Sequence, residues 1–297
     1  MKAEMNLVEL IQAFGTDEKC RERLEQLRWP TGIECPRCQG KTISHIEKRD
    51  QFDCDSCRYQ FSVTAGTIFH DSHLPLSKWF LATYIICESK KGISANQLKR
   101  MLNVTYRTAW HLCHRIRAAM KEGTVRPISG IVEVDETYVG GKVRGRGRGY
   151  RENKTMVLGA IQRGGEVRFK VDKRNDRKTL HAFIKAVVDD KAEAIHTDEW
   201  QAYKGIADAN TRHETVNHKA EEWVRAEVHT NTVEGVWSLF KRSIVGSYHQ
   251  LSEKHMNAYL DEFAWRFNQR DNPYLFRDTL ITLLKAETLE YKELTSH

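Results

Sequence analysis

Four of the seven cysteines in this 297-residue chain form two closely spaced pairs, and the spacing indicates metal binding. The pairs are Cys35 with Cys38 and Cys54 with Cys57. Two C-x2-C pairs can place four thiolates around one Zn²⁺ ion at about 2.3 Å, as in structural zinc sites. Because sulfur fills all four positions, the predicted site is closed and structural. Four unligated cysteines, or a redox pair, is the alternative.

A second group of candidate functional residues consists of acids at the ends of predicted strands and in a predicted helix. Glu133 and Asp135 share one face of an Ile-Val strand, where an acid is costly unless it is paired or binds a cation. Asp198 follows another strand, and Glu234 lies near the start of a predicted helix. Three such acids can converge on one site and bind Mg²⁺ through oxygen. A pair of these ions can activate water and stabilise the leaving oxygen in phosphodiester chemistry.

Other polar residues accompany these acids in the sequence. Asn231 lies three residues before Glu234 on the same helix face, and Lys241 lies two turns beyond it. His196 and His229 are near the acids and could shuttle a proton or donate to a phosphate. A hydrogen-bonded structural role is the alternative for both histidines.

Residues 94–117 have the pattern of two helices joined by a tight turn near Asn103. The predicted inner face is apolar and comprises Leu98, Leu102, Val104, Ala109, Leu112 and Ile116. The second helix would then present polar residues at its N-terminal end, where a recognition helix contacts base edges. These predicted DNA-binding residues are Thr105, Tyr106, Arg107, Thr108 and His111. An ordinary helical hairpin with solvated charges is the alternative.

The net charge of +7 is unevenly distributed along the chain. Residues 61–130 hold 10 basic and 3 acidic side chains, whereas residues 1–60 hold 10 and 11 and residues 131–297 hold 27 and 26. A local basic excess favours a polyanionic partner, most often nucleic acid, although a solvated surface would also account for it.

The composition, 40% hydrophobic and 29% charged, is that of a globular protein and excludes disorder for most of the chain. The longest apolar stretch, residues 79–87, is about half of what a membrane span needs, and the N-terminus lacks the apolar core of a signal peptide. We therefore predict a cytoplasmic protein with no membrane partner, in a reducing compartment where a disulfide framework is not expected.

Hydrophobic periodicity and chain breakers predict the elements that must position these residues. The pattern predicts two helices at the N-terminus, three helices from 76 to 121, and then strands followed by helices, which suggests a mixed α/β domain. The predicted segments are N-terminal helices over 1–30, a zinc ribbon over 31–75, a helix-turn-helix module over 76–125, an α/β catalytic domain over 130–272 and a helical tail over 273–297. A glycine-rich basic stretch from Gly140 to Gly149 could track a phosphate backbone or form a mobile loop.

The strand with Asp135, the HTDEW segment with Asp198 and the HTNTVEGVWSLFKR helix with Glu234 and Lys241 together resemble the DDE-type transposases of bacterial insertion sequences, specifically the group with an N-terminal zinc ribbon. The resemblance extends from about residue 18 to about residue 272. It implies a ribonuclease H-like fold and a homo-oligomer that is associated with the bacterial nucleoid. It also implies that the partner is double-stranded DNA, both the element ends and the target.

The same resemblance implies that Asp135, Asp198 and Glu234 bind Mg²⁺ or Mn²⁺, and that the reaction is strand cleavage and transfer at element ends. The 35 residues between Asp198 and Glu234 match the family's usual interval. Lys241 matches a basic residue that contacts DNA near the cut. Some relatives have Asn as the third residue, which makes Asn231 the alternative to Glu234.

Two rival functions remain at the level of sequence. One is a DNA-binding transcriptional regulator with a catalytically silent α/β domain, against which the three intact acids argue. The other is a hydrolytic nuclease that lacks strand transfer.

Overall fold

The computed structural model describes residues 5–123, 126–141, 153–207, 211–216 and 228–296. These residues form two compact units, one built from residues up to 121 together with those from 271 onward, the other from residues 122–270. The predicted glycine-rich basic stretch lies outside the described residues, apart from Gly140 and Gly141.

The first unit begins with two short capped helices, α1 (Leu7–Phe14) and α2 (Asp17–Arg28). Each begins where the side chain of the preceding residue, Asn6 or Thr16, accepts a backbone N–H of the first turn. A three-stranded antiparallel sheet follows, formed by β1 (Ile43–Ile46), β2 (Gln51–Cys54) and β3 (Gln60–Phe61).

Three helices then complete the N-terminal part of this unit: α3 (Leu76–Glu88), α4 (Ala95–Leu102) and α5 (Tyr106–Ala119). Their number and breaks agree with the hydrophobic periodicity. Asn103 adopts the left-handed conformation, at φ 49°, that ends α4 and turns the chain into α5.

The second unit is a five-stranded mixed sheet. Its strands are β4 (Ile131–Val139), β5 (Thr155–Gln162), β6 (Val167–Asp172), β7 (Ala194–Asp198) and β8 (Arg212–Val216). They are ordered β6-β5-β4-β7-β8; β4, β5 and β6 pair antiparallel, whereas β7 is parallel to β4 and β8 is parallel to β7. The mixed α/β domain expected from the sequence, with helices packed on the sheet, is confirmed.

Helices cover both faces of this sheet. One apolar cluster joins β4 and β5 to α6 (Arg177–Val187). The other joins β5 and β6 to α7 (Asn231–Ser243) and α8 (Met256–Asn268). Because side chains alternate across β4, the face that carries Glu133 and Asp135 is the face that α7 covers.

The chain ends with α9 (Leu275–Lys285) and the short α10 (Tyr291–Thr295), which belong to the first unit. Leu280 and Leu283 of α9 are fully buried. The α9 helix contacts α3 and α5, so the C-terminal segment completes the core of the helical part of this unit.

Candidate active site

Asp135 lies on β4 and is oriented by a side chain from α7. Nε1 of Trp237 donates a hydrogen bond to Oδ2 of Asp135 at 3.0 Å. The residue opposite Asp135 on β5 is Gly159, and a Cβ there would lie 2.5 Å from the indole ring. The absence of a side chain at Gly159 therefore makes room for the ring that holds Asp135.

The electrostatic surroundings of Asp135 disfavour its charge. Burial, and then the nearby carboxylates of Glu136 and Asp198, raise the pKa of Asp135 to about 7. The backbone N–H of Glu136 and the indole of Trp237 only partly oppose this shift. A divalent cation would relieve such crowding of carboxylates, so the donor set fits Mg²⁺ or Mn²⁺.

An open cleft of about 600 Å³ lies between the end of β4 and one face of α7. Its lining residues are Asp135, Glu136 and Thr137 from β4, and Glu234, Trp237, Ser238, Lys241, Arg242 and Val245 from α7 and the turn after it. Glu234 and Lys241 are seven residues apart and line the same cleft. Acidic groups that suit a cation thus share the cleft with basic groups that suit phosphate.

Asp198 ends β7, next to the strand that carries Asp135. The parallel register pairs Glu133 with His196, and each aspartate follows two residues later on its strand. Oδ1 of Asp198 accepts the backbone N–H of Trp200 at 3.0 Å. Asp198 is not among the described residues that line the cleft, although its charge acts on Asp135.

The structure distinguishes between Glu234 and Asn231, the two candidates for the third metal ligand. Glu234 lines the cleft, whereas Asn231, the exposed first residue of α7, is not among the lining residues described. Among the described residues, the four cysteines are the only group of three or more His, Cys, Asp or Glu side chains whose ligand atoms all lie within 4.8 Å of one another. The structure therefore places Asp135 and Glu234 in one cleft, with Asp198 on the strand beside Asp135. The carboxylate oxygens of these three acids do not all lie within 4.8 Å of one another.

The two histidines near the acids have structural surroundings. His196 is buried between Arg163, 3.1 Å from Nδ1, and Glu214, 3.2 Å from Nε2. Burial, followed by the charge of Arg163, lowers the pKa of His196. Nδ1 of His229 lies 3.2 Å from Oε1 of Glu133, a fully buried acid to which the sequence pattern gave no role separate from that of Asp135.

The zinc ribbon brings its four cysteines together. Sγ of Cys35 lies 3.7 Å from that of Cys57, and Sγ of Cys38 lies 3.5 Å from that of Cys54. Tetrahedral Zn–S bonds of about 2.3 Å require sulfurs roughly 3.8 Å apart, so the cluster fits a zinc ion. The Trp29, Phe52, Tyr59 and Phe61 side chains pack together behind the cysteines.

The two knuckles have the same local backbone. Gln39 and Arg58, each one residue after the second cysteine of a pair, have φ of 61° and 57°. Their N–H groups donate to the carbonyls of Cys35 and Cys54 at 2.9 and 2.7 Å. Each C-x2-C pair is therefore closed by a left-handed residue that turns both sulfurs to one side.

The α4 and α5 helices form the two helices and the tight turn expected over residues 94–117. Leu98, Leu102, Ala109, Leu112 and Ile116 are buried between the helices and their neighbours. Thr105 caps α5: its Oγ1 accepts the N–H of Thr108 at 3.1 Å and lies 2.9 Å from the Thr108 hydroxyl. These two hydroxyls are therefore engaged in holding the helix start.

The C-terminal segment covers part of the α5 face that was expected to read DNA. Tyr106 is 48% exposed, and the exposed Arg107 lies over the ring of Tyr291, 4.1 Å from its centroid. His111 does not face outward as expected: Nε2 lies 3.0 Å from the carbonyl oxygen of Leu289, and the ring packs against Tyr291. Burial lowers the pKa of His111.

Two families of known proteins match this chain. Residues 15–60 match the transposase zinc-ribbon domain, and residues 127–268 match the ISXO2-like transposase domain. The "Uncharacterized protein in transposable element ISH50" of Halobacterium salinarum is 29% identical over 277 residues, which cover 86% of this chain and 92% of that protein.

Two solved structures also align with the chain. The simian T-cell lymphotropic virus intasome in complex with PP2A regulatory subunit B56 gamma is 15% identical, over 74% of this chain and 75% of the other, with a TM-score of 0.27. A pre-cleavage Mos1 transpososome is 12% identical, over 71% and 80%, with a TM-score of 0.25.

The fold and the two matched domains define a DNA-cleaving and DNA-transferring enzyme with a zinc ribbon. Both matched domains are transposase domains, and they identify the chain as a transposase with an N-terminal zinc ribbon. Within the described residues, no helix is both long and apolar enough to cross a membrane.

Proposed function

We propose that Asp135, Asp198 and Glu234 are the catalytic carboxylates of this transposase, and that they hold Mg²⁺ or Mn²⁺. The observation that carries the proposal is the cleft that Asp135 lines together with Glu234 and Lys241, where burial and the charges of Glu136 and Asp198 raise the pKa of Asp135. A divalent ion bound there would polarise the scissile phosphate and stabilise the attacking and leaving oxygens of an in-line displacement.

The remaining residues of the cleft have roles that follow from their charge. Lys241 and Arg242 would bind DNA phosphate next to the cut, since both line the cleft on the same helix as Glu234. Trp237 keeps the Asp135 carboxylate turned into the cleft through its indole N–H. Asn231, at the exposed start of α7, would at most contact the nucleic acid beside Glu234.

DNA carrying the element ends would be read by the α4–α5 hairpin. Tyr106 and Arg107 have the exposure that such contacts need, and the segment around them supplies the excess of positive charge. We further infer a homo-oligomer that acts on DNA in the bacterial cytoplasm, associated with the nucleoid, because one reaction must join two element ends to one target.

The test is strand cleavage and joining on DNA that contains the terminal repeats, with Mg²⁺ or Mn²⁺. We expect Asp135→Asn, Asp198→Asn and Glu234→Gln to abolish cleavage and leave binding to end DNA intact, whereas Asn231→Ala only slows it. A dead Asn231→Ala beside an active Glu234→Gln would move the third ligand to Asn231.

The rival functions give different products in the same assay. A wild-type protein that binds end DNA and never cuts it with either ion would be a regulator with a silent domain. Cleaved ends that are never joined to target DNA would indicate a hydrolytic nuclease. Cleavage by Asp135→Asn at the normal rate would overturn the catalytic assignment.

A further inference from the structure

The acid two residues before Asp135 on β4 is completely enclosed. Glu133 has 0% of its surface exposed, although it lies in a strand of mainly apolar residues. Burying a carboxylate is costly unless hydrogen bonds and an opposite charge compensate. The groups that compensate Glu133 come from outside its own strand, and they show what the residue does.

Both carboxylate oxygens of Glu133 are taken by protein groups. Oε2 accepts the backbone N–H of Thr232 at 2.8 Å and that of Val233 at 3.0 Å. Oε1 accepts the hydroxyl of Thr232 at 2.8 Å and Nε of Arg163 at 2.7 Å. Glu133 thus differs from Asp135, its neighbour on the same face, in having its oxygens committed to the protein and not to the cleft.

Thr232 and Val233 are the second and third residues of α7, and N–H groups at a helix start need acceptors from outside the helix. The N-cap residue Thr230 provides no side-chain acceptor for them. Glu133 provides it from the neighbouring strand, and its negative charge also suits the positive end of the helix dipole. The point at which α7 begins is therefore set by β4.

We infer that Glu133 is a positioning residue for the metal-binding carboxylates, an inference that rests on the proposed function. It ties the first turn of α7 to β4, so that Glu234, the next residue after Val233, faces the cleft that Asp135 lines. Arg163 supports this tie from the turn after β5, and its guanidinium also donates to the carbonyl of His229 at 3.2 Å. Displacements of about 1 Å at a catalytic group can cost roughly 100-fold in rate.

The test variant is Glu133→Gln, which keeps the side-chain volume and removes the charge. With zinc-loaded protein, we expect calorimetric titration to show Mn²⁺ affinity about 10-fold or more weaker, as for lost supports of metal ligands. Backbone amides at residues 229–236 should exchange faster with deuterium, because their acceptor is weakened. Binding to end DNA should stay unchanged.

A matched control comes from another buried glutamate of the same unit. Glu262 on α8 is also 0% exposed and accepts hydrogen bonds from Tyr248 at 2.7 Å and Arg266 at 3.1 Å. Glu262→Gln should lower the melting temperature without changing Mn²⁺ affinity. If Glu133→Gln does not fold, Glu133→Gln combined with Arg163→Gln removes the unpaired cation and is measured in its place.

The outcomes separate this inference from the proposed function. Mn²⁺ affinity and exchange at residues 229–236 that both stay at wild-type values in Glu133→Gln would overturn the positioning role. A Glu234→Gln variant with normal Mn²⁺ affinity would overturn Glu234 as a ligand, and faster exchange in Glu133→Gln would still support the tie to α7. Equal losses of Mn²⁺ affinity in Glu133→Gln and Glu262→Gln would indicate general destabilisation and also refute the inference.

Discussion

The indole N–H of Trp237 reaches Asp135 from the second turn of α7, while the first turn of the same helix is bound by Glu133. Strand β4 and α7 are therefore joined at two successive points, and Glu234 lies between them along the helix. The two acids on one face of β4 serve different purposes: Glu133 sets where the helix begins, and Asp135 faces the cleft.

Trp237→Phe should weaken Mn²⁺ binding several-fold with little loss of stability, because phenylalanine can remain in the apolar cluster but has no N–H to orient Asp135. Isothermal titration with Mn²⁺ and thermal unfolding measure the two effects separately. Trp237→Leu is a comparison that removes the ring as well. Wild-type Mn²⁺ affinity in Trp237→Phe would show that the indole hydrogen bond does not orient Asp135 for the ion.

Gly159→Ala should destabilise the second unit by about 1–3 kcal/mol, since the added Cβ would lie 2.5 Å from the Trp237 ring. The clashing atoms belong to the six-membered part of the indole, which extends beyond a phenylalanine ring. The loss should therefore be smaller when Gly159→Ala is combined with Trp237→Phe. Thermal unfolding of the four proteins in the double-mutant cycle measures this coupling, and strictly additive losses would contradict it.

Without divalent ions, the contribution of Asp135 to the stability of the wild-type protein should fall as the pH rises from about 4 to about 7. The pKa of Asp135 is raised from 3.8 to about 7 in the folded state, so its contribution is fully present below 3.8 and is lost as the folded carboxyl ionises. Asp135→Asn cannot ionise. The melting temperature of Asp135→Asn minus that of wild type should increase by several degrees in total from pH 4 to 7 and stay constant above pH 7.

Scanning calorimetry over pH 4–9 in buffer without added divalent ions checks this prediction. A chelator is avoided because it would also strip the zinc ribbon. A difference in melting temperature that does not change with pH would contradict the raised pKa of Asp135.

Each chain should carry one tightly bound zinc ion, because the four sulfurs of the ribbon already lie at distances that suit tetrahedral coordination. Cys54→Ser should lose zinc and the structure of the ribbon. Cys87→Ser, in a buried cysteine of α3 that lies 3.3 Å from the Thr279 hydroxyl, is the control and should keep the zinc. Elemental analysis of the purified proteins decides, and protein without zinc would refute the site.

Substitutions along α5 should separate residues that contact DNA from those that pack. Arg107→Ala should reduce the preference for end DNA over random DNA, with roughly 1–3 kcal/mol of discrimination lost, because the guanidinium is exposed at the helix start. His111→Ala should leave that preference unchanged, since His111 contacts Leu289 and Tyr291.

Lys99→Ala or Arg100→Ala, in the exposed last turn of α4, should weaken binding to all DNA and flatten its salt dependence. Fluorescence anisotropy with end and random duplexes at several salt concentrations distinguishes the three classes. Equal effects of Arg107→Ala and Lys99→Ala on both duplexes would contradict base reading by α5.

Features that depend on a few neighbouring residues could be predicted from the sequence. Examples are the zinc knuckles, the capped N-terminal helices and the hairpin of α4 and α5. Each depends on the spacing of residues that lie close together in the sequence. The sequence also offered Asp135, Asp198 and Glu234 as candidates, because each lies in or next to a strongly patterned strand or helix. Strand β8 has no comparable signal in the sequence, since Val216 is its only buried residue and an edge strand of Arg, His, Glu and Thr has no apolar alternation.

Only the tertiary structure decided which of these residues meet. The alternation of side chains along β4 could not show whether Glu133 or Asp135 faces the cleft, because both lie on the same face of the strand. They differ in which turn of α7 they contact. The packing of Tyr291 on Arg107 and His111 joins residues about 180 positions apart, a contact that no local pattern encodes. Spacing along the chain determines which side chains can bind metal or DNA, whereas strand register and helix packing, which depend on contacts between distant segments, determine where those side chains point.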